Sequence, residues 1–156
     1  MTKTRAPRII FLRGLPASGK STWADGWSDR MGGCKRVNKD LLRDMLDCGE
    51  YSGENEMFIL EVRDRIIFKS LSAGYDVIVD DCNFNPIHLE KINEIAFAMS
   101  KTLGEKVEVT IISMGTSVEE CIKRDSERKK SVGENVIRAM EQKYGGTNRE
   151  SLAGSL

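Results

Sequence analysis

The stretch that most constrains this chain is residues 8–22, RIIFLRGLPASGKST. Apolar, partly β-branched residues from Ile9 to Leu12 run without a polar break, stop at Gly14, and give way to small, conformationally permissive residues before a helical pattern begins at Lys20. A strand apolar at every position is one buried on both faces, which a parallel sheet covered by helices provides. The loop after it has little to place in a core, yet it carries a lysine at a set position. Strand, loop and helix together predict an α/β unit whose loop is free to hold something.

The remainder alternates in the same way. A helix is expected from Lys20 to about Met31, with Trp23 and Trp27 on one face and Gly32-Gly33 closing it. A weak strand around Arg36 to Asn38 leads into a helix over Asp40 to Leu46, and apolar spacing predicts a longer one from Glu54 to Ala73. Tyr75 to Asp81 reads as a strand, Pro86 opens a helix toward Leu103, and Val107 to Ser113 is again a strand. A helix from Ser117 to about Arg128, a charged break and a short helix to Tyr144 complete the pattern. The expected fold is α/β and three-layered, with a mainly parallel sheet of about four strands. Ligands then belong at the C-terminal ends of the strands. Length fits one domain over residues 1–145, with 146–156 expected to be a flexible tail.

Composition matters here for what it excludes. Lys plus Arg equals Asp plus Glu, 24 each, so no overall positive field attracts nucleic acid and any polyanion must be met by a local patch. Cys34, Cys48, Cys82 and Cys121 form no C-x-x-C pair, which argues against a zinc knuckle or a disulfide framework. With no secretory h-region and no long apolar span, a cytoplasmic protein with no membrane partner is expected.

The loop satisfies G-x-x-x-x-G-K-[ST] through Gly14, Gly19, Lys20 and Ser21, in the strand-to-helix context the pattern requires. Its chemistry follows from the backbone. Glycines allow successive N–H groups to turn inward on phosphate oxygens, and the helix start adds partial positive charge. Gly14, Pro16, Ala17, Ser18, Gly19, Lys20, Ser21 and Thr22 are therefore the candidate binders of ATP. Lys20 reaches the β- and γ-phosphates, Ser21 offers its hydroxyl to Mg²⁺, and Thr22 touches the α-phosphate.

What is done with the triphosphate is less directly written. Asn38-Lys39-Asp40 lacks the residue that a guanine-reading N-K-x-D needs, and Asp80 and Asp81 at the end of VIVDD suit several classes of nucleotide-binding protein. Asp40 and Arg43, an i,i+3 pair at a helix start, share one face. They suit a base that takes a hydroxyl proton beside a guanidinium that grips an acceptor phosphate. The same spacing also makes an ordinary exposed ion pair, and the residues alone leave both readings open. Arg124 and Arg128, four apart beside Lys129, Lys130 and Gly133, suit a lid over residues 124–134 that stabilises the migrating phosphoryl group. With Glu119, Glu120, Asp125 and Glu127 nearby, a solvated charged face suits their spacing better on the residues alone.

Four blocks in order, GLPASGKSTW, VNKDLLR, VIVDDCNFNP and IKRDSERKK, resemble the 5′-kinase domain of phage-type polynucleotide kinases over nearly the whole chain. The resemblance implies a P-loop kinase with a helical lid that transfers the γ-phosphate of ATP, with Mg²⁺, to the 5′-hydroxyl end of DNA or RNA. It implies that Asp40 is the catalytic base and that Lys20 and Arg128 act in catalysis. Arg43, Asp81 and Asn83 would bind the acceptor, and Arg124 and Arg128 the nucleotide. It also implies location in a cytoplasm, a host's if the gene is phage-borne. The D-x-D-G-T motif of the phosphatase half that often accompanies such kinases does not occur, so a kinase without the 3′-repair half is expected. A kinase of a small hydroxyl metabolite or nucleotide sugar, and an NTP-driven switch, use the same parts and stand as alternatives.

Other conspicuous residues receive plainer assignments. His88 is expected at the surface, Asn85 as a helix cap, Asp80 as a structural neighbour, and Trp27, Met57, Met99 and Met140 in packed helical stripes. Nothing around Cys82 suggests an activated thiolate.

Overall fold

The computed structural model describes residues 5–153. Four strands, β1 (Ile9–Arg13), β2 (Cys34–Val37), β3 (Asp76–Asp80) and β4 (Val109–Ser113), form one parallel sheet in the order β2-β3-β1-β4. Phe11 pairs with Val79 on one side and Ile111 on the other, so β1 lies at the centre and is buried at every residue. That burial is why its sequence is apolar without alternation.

The helices are α1 (Lys20–Met31), α2 (Lys39–Asp47), α3 (Gly53–Ser72), α4 (Pro86–Leu103), α5 (Val118–Ser126) and α6 (Glu134–Ala153). Alternate residues of β1 and β3 separate onto the two faces of the sheet. Ile9, Phe11, Val77 and Val79 pack with Ile59 and Ile67 of α3 and Ile92 and Met99 of α4. Ile10, Leu12 and Ile78 pack with Ala24, Trp23 and Trp27 of α1. A third cluster at the strand ends joins Leu15 and Phe84 to Cys121 of α5 and Ile137 of α6. The result is the expected three-layer α/β fold.

Helix starts follow local chemistry. The side chains of Asn38, Ser52, Asn85 and Ser117 each accept a bond from a backbone N–H of the first turn, and Pro86 stands just inside α4. Gly104, in a left-handed conformation, ends α4 where its apolar periodicity ends.

Three expectations need correction. Helix α6 does not stop at Tyr144 but runs through Gly145 and Gly146 to Ala153, so the first part of the expected tail continues a helix, while residues 154–156 lie outside the described range. Each glycine costs the helix about 1 kcal/mol against alanine, and packing of Ile137, Met140 and Tyr144 on the third cluster offsets it. Helix α5 ends at Ser126, which leaves Arg128 beyond it rather than one turn along the same helix. Met57 is largely exposed, whereas Met99 is fully buried and Met140 partly so, as expected. Among the described residues, no helix is long and apolar enough to cross a membrane.

Candidate active site at the C-terminal edge of the sheet

Past the ends of β1 and β3 lies a cleft of about 1800 Å³, walled by the loop after β1, the start of α2, the turn after β3 and the loop after α5. The loop after β1 is held by contacts only small residues permit. A Cβ on Gly14 would stand 2.6 Å from Ser18 Oγ and 2.9 Å from Met114 Cβ, so no side chain fits there. Gly19 sits at φ +96° immediately before α1, and Ala17 takes the left-handed conformation at φ 60°. For a non-glycine residue that conformation costs roughly 1–2 kcal/mol, the kind of strain that accumulates where a ligand is gripped. Lys20, buried, donates to the carbonyls of Gly14 (3.0 Å) and Leu15 (2.8 Å) and lies 3.7 Å from Cys82 Sγ. Its ammonium is thereby folded onto its own loop, beside the backbone N–H groups at the start of α1 that suit an anion.

Ser21 donates to Asp80 Oδ2 at 3.1 Å, and Arg36 of β2 grips the same carboxylate oxygen at 2.8 and 2.6 Å. Asp80 thereby ties the first residues of α1 and the strand β2 to the end of β3. A hydroxyl beside a carboxylate suits a magnesium ion, which needs few protein ligands when phosphates and water complete its shell. Among the described residues no cluster of three or more His, Cys, Asp or Glu forms a cage for a metal.

The opposite wall is built by docking the start of α2 on the end of β3. Asn38 caps the helix through its Oδ1 and donates through Nδ2 to the carbonyl of Asp80, while the Lys39 N–H bonds Asp81 Oδ1 at 2.9 Å. These two ties place Asp40, 84% exposed, on the same cleft as the phosphate loop. Arg43 Nη1 pairs with Asp40 Oδ1, and Arg43 Nε and Nη2 take both oxygens of Glu56 on α3 at 2.8 Å. The pair is thus the i,i+3 ion pair that the spacing allows, and both of its residues line the cleft. Burial would raise the Glu56 carboxyl, but Arg43 and Lys39 hold it below its usual value. The Glu56 hydrogen bond in turn raises the Arg43 guanidinium. Glu56 carried no motif, and its spacing from Arg43 crosses two helices, so no local signal marks it.

Asp81 is buried, with Oδ2 unpartnered, and burial pushes its carboxyl up. Asn83 stands at φ 55° and lines the cleft, but its amide nitrogen donates to the carbonyls of Leu12 (2.7 Å) and Val79 (3.3 Å). It therefore locks the ends of β1 and β3, which leaves only the buried Oδ1 for any other task. Asn85 caps α4 as expected.

Arg124, bonded to Glu120 at 2.8 Å, leans on the cradle, since a Cβ on Gly19 would lie 3.7 Å from its Nη1. Arg128 reaches the cleft from the loop that follows α5. Buried Asp125 shapes that loop by accepting from Ser131 Oγ (2.6 Å), Gly133 N (2.9 Å) and Val132 N (3.2 Å). Lys130 then crosses to Asp44 of α2 at 2.8 Å. Pro16, Ala17, Ser18 and Thr22 line the cleft with Lys20 and Ser21, and so does the half-buried His88, which the sequence places at the surface.

The parallel sheet, the glycine-framed loop after its central strand and the helix that follows define a P-loop α/β protein. A family model described as an AAA domain matches residues 9–147, and the chain belongs to that family. It is 28% identical over 141 residues to an L-seryl-tRNA(Sec) kinase of Methanococcus maripaludis, covering 87% of this chain and 52% of the relative, so it spans about half the length of that protein. Its fold is similar to a chain of the Pnkp1/Rnl/Hen1 RNA repair complex, with a TM-score of 0.73 and 22% identity over 96% of this chain and 47% of the other. It is also similar to the Mycobacterium tuberculosis APS kinase CysC, solved with AMPPNP and APS, with a TM-score of 0.63 and 17% identity over 78% of this chain and 69% of the other.

Proposed function

We propose that this chain is a polynucleotide 5′-hydroxyl kinase that transfers the γ-phosphate of ATP to the 5′-OH end of DNA or RNA. The observation that carries the reading is Asp40, a solvent-facing carboxylate on the cleft of the phosphate loop, braced by Arg43, which Glu56 holds in turn. Asp40 accepts the proton of the attacking hydroxyl, which is worth about 10²–10⁴ in rate. A guanidinium has five N–H groups; three are spent on Asp40 and Glu56, so two remain on Arg43 for an acceptor phosphate. Lys20 leaves its loop carbonyls for the β- and γ-phosphates, and Arg124 and Arg128 meet the charge that spreads over the migrating group. Mg²⁺, when bound beside Ser21 and Asp80, neutralises charge on those phosphates.

The relatives support a nucleic-acid acceptor. A seryl-tRNA kinase and an RNA repair complex both handle RNA, and the first favours a second reading in which the hydroxyl belongs to an aminoacyl group. The discriminating assay supplies γ-labelled ATP with 5′-OH DNA, 5′-OH RNA, seryl-tRNA, nucleosides and sugars. Asp40→Ala should bind ATP as the wild type does and transfer about 10²–10⁴-fold more slowly; full transfer by that variant refutes the assigned base. Label on seryl-tRNA or a sugar alone replaces the polynucleotide reading, and hydrolysis with no labelled acceptor marks a switch.

A further inference from the structure

The only histidine of the chain has no part in the chemistry described so far. His88 lies in the first turn of α4, just after Pro86, and lines the cleft, as Asp40, Asp81 and Asn85 do. The ring is half-buried and has no hydrogen-bond partner among the described residues. Charged groups face it from two helices: Lys39 of α2, and Arg63, Glu56 and Asp64 of α3. Burial first, then Lys39 and Arg63, bring the imidazole down to about 4 against the opposing pull of Glu56 and Asp64. At neutral pH it therefore presents one N–H donor and one nitrogen acceptor and no charge.

One further residue of the cleft strengthens the case. Asp81, which lines the cleft with His88, has its Oδ2 buried without a partner. A buried polar group without a protein partner calls for an explanation, and a hydrogen-bonding ligand in the cleft is one. Phosphate contacts already have cations in Arg43, Arg124 and Arg128, whereas a ring crowded by Lys39 and Arg63 resists the second proton that would make it another.

We propose that His88 determines acceptor specificity by hydrogen-bonding the uncharged sugar or base of the nucleoside that bears the reactive hydroxyl. The identity of that acceptor rests on the polynucleotide kinase reading; the placement of His88 does not.

One histidine per chain makes the test direct. In tag-free, ¹⁵N-labelled protein the ring signals need no assignment, and they should move when a 5′-OH oligonucleotide is added but not when AMPPNP alone is added. His88→Ala and His88→Phe should raise the acceptor KM about tenfold, the cost of losing a hydrogen bond from a formed site, with the KM for ATP unmoved. His88→Gln, which restores a donor and an acceptor, should recover most of the loss. Ring signals indifferent to the acceptor, a phenylalanine variant that matches the wild type, or an ATP KM that rises in parallel would each overturn the proposal. Wild-type protein that labels no oligonucleotide is a separate result: it removes the polynucleotide reading, and His88 is then judged by the same variants on whichever acceptor is labelled. If none is labelled, both fall.

Discussion

Arg43 owes its role to a residue on another helix. Spacing put it beside Asp40, but Glu56 holds its plane by two bonds of 2.8 Å, so the guanidinium cannot swing freely between solvent and cleft. Asp81 illustrates the opposite condition, a carboxyl placed where its ionised form is costly. Burial raises its carboxyl and Asp40 adds to the shift, while the Lys39 N–H, Lys39 and Arg63 oppose it. The folded protein then binds this proton more tightly than the unfolded chain, so its contribution to stability falls as pH rises from the ordinary value of 3.8 through the raised one. Asp81→Asn keeps an acceptor for the Lys39 N–H and removes the buried charge. It should raise Tm by about 2–4 °C at pH 7 and slow phosphorylation of the acceptor, a trade expected at working sites. Calorimetry that shows a lower Tm would mean that the charge is paired.

Among the elements, the loop after α5 depends most on a single side chain. Asp125 lies in what reads as a charged face, yet it is buried and gathers residues 131–133 around its carboxylate. Burial alone would raise it; the bonds from Ser131, Gly133 and Val132, with Arg128 nearby, hold it below 3.8. Its support for the fold is therefore present above the unfolded value and lost as pH falls through the depressed one. Asp125→Ala should cost about 1–3 kcal/mol through the orphaned N–H and O–H groups. Trypsin should then cut at Arg128, Lys129 or Lys130 faster than in the wild type, and kcat should fall more than ATP affinity. Unchanged proteolysis would show that the Lys130–Asp44 contact holds the loop by itself. Helix α4, by contrast, has the bounds its sequence implies, since Pro86 and Gly104 act within the helix they delimit.

For the molecule as a whole, zero net charge coexists with a cleft lined by Lys20, Lys39, Arg43, Arg124, Arg128 and Lys129. The cations are gathered locally, as the proposed polynucleotide acceptor would require of a chain with no net charge. An acceptor held by about three phosphates should lose kcat/KM with salt at a log–log slope of about −2. A slope steeper than about −5 would mean a long track of phosphate contacts outside the cleft.

By itself the sequence determined the sheet-forming strands, the phosphate cradle and the capped helix starts. Each of these expresses the backbone preference or solvation of a few adjacent residues, as with Gly14, Gly19 and the unbroken apolar run of β1. Only the tertiary structure decided that Glu56 holds Arg43, that Arg36 and Ser21 share Asp80, and that His88 enters the cleft. Arg36 and Asp80 lie 44 residues apart and meet because β2 and β3 pair in parallel register. A contact of that kind is set by how elements pack against one another, a quantity that neither partner's local sequence contains.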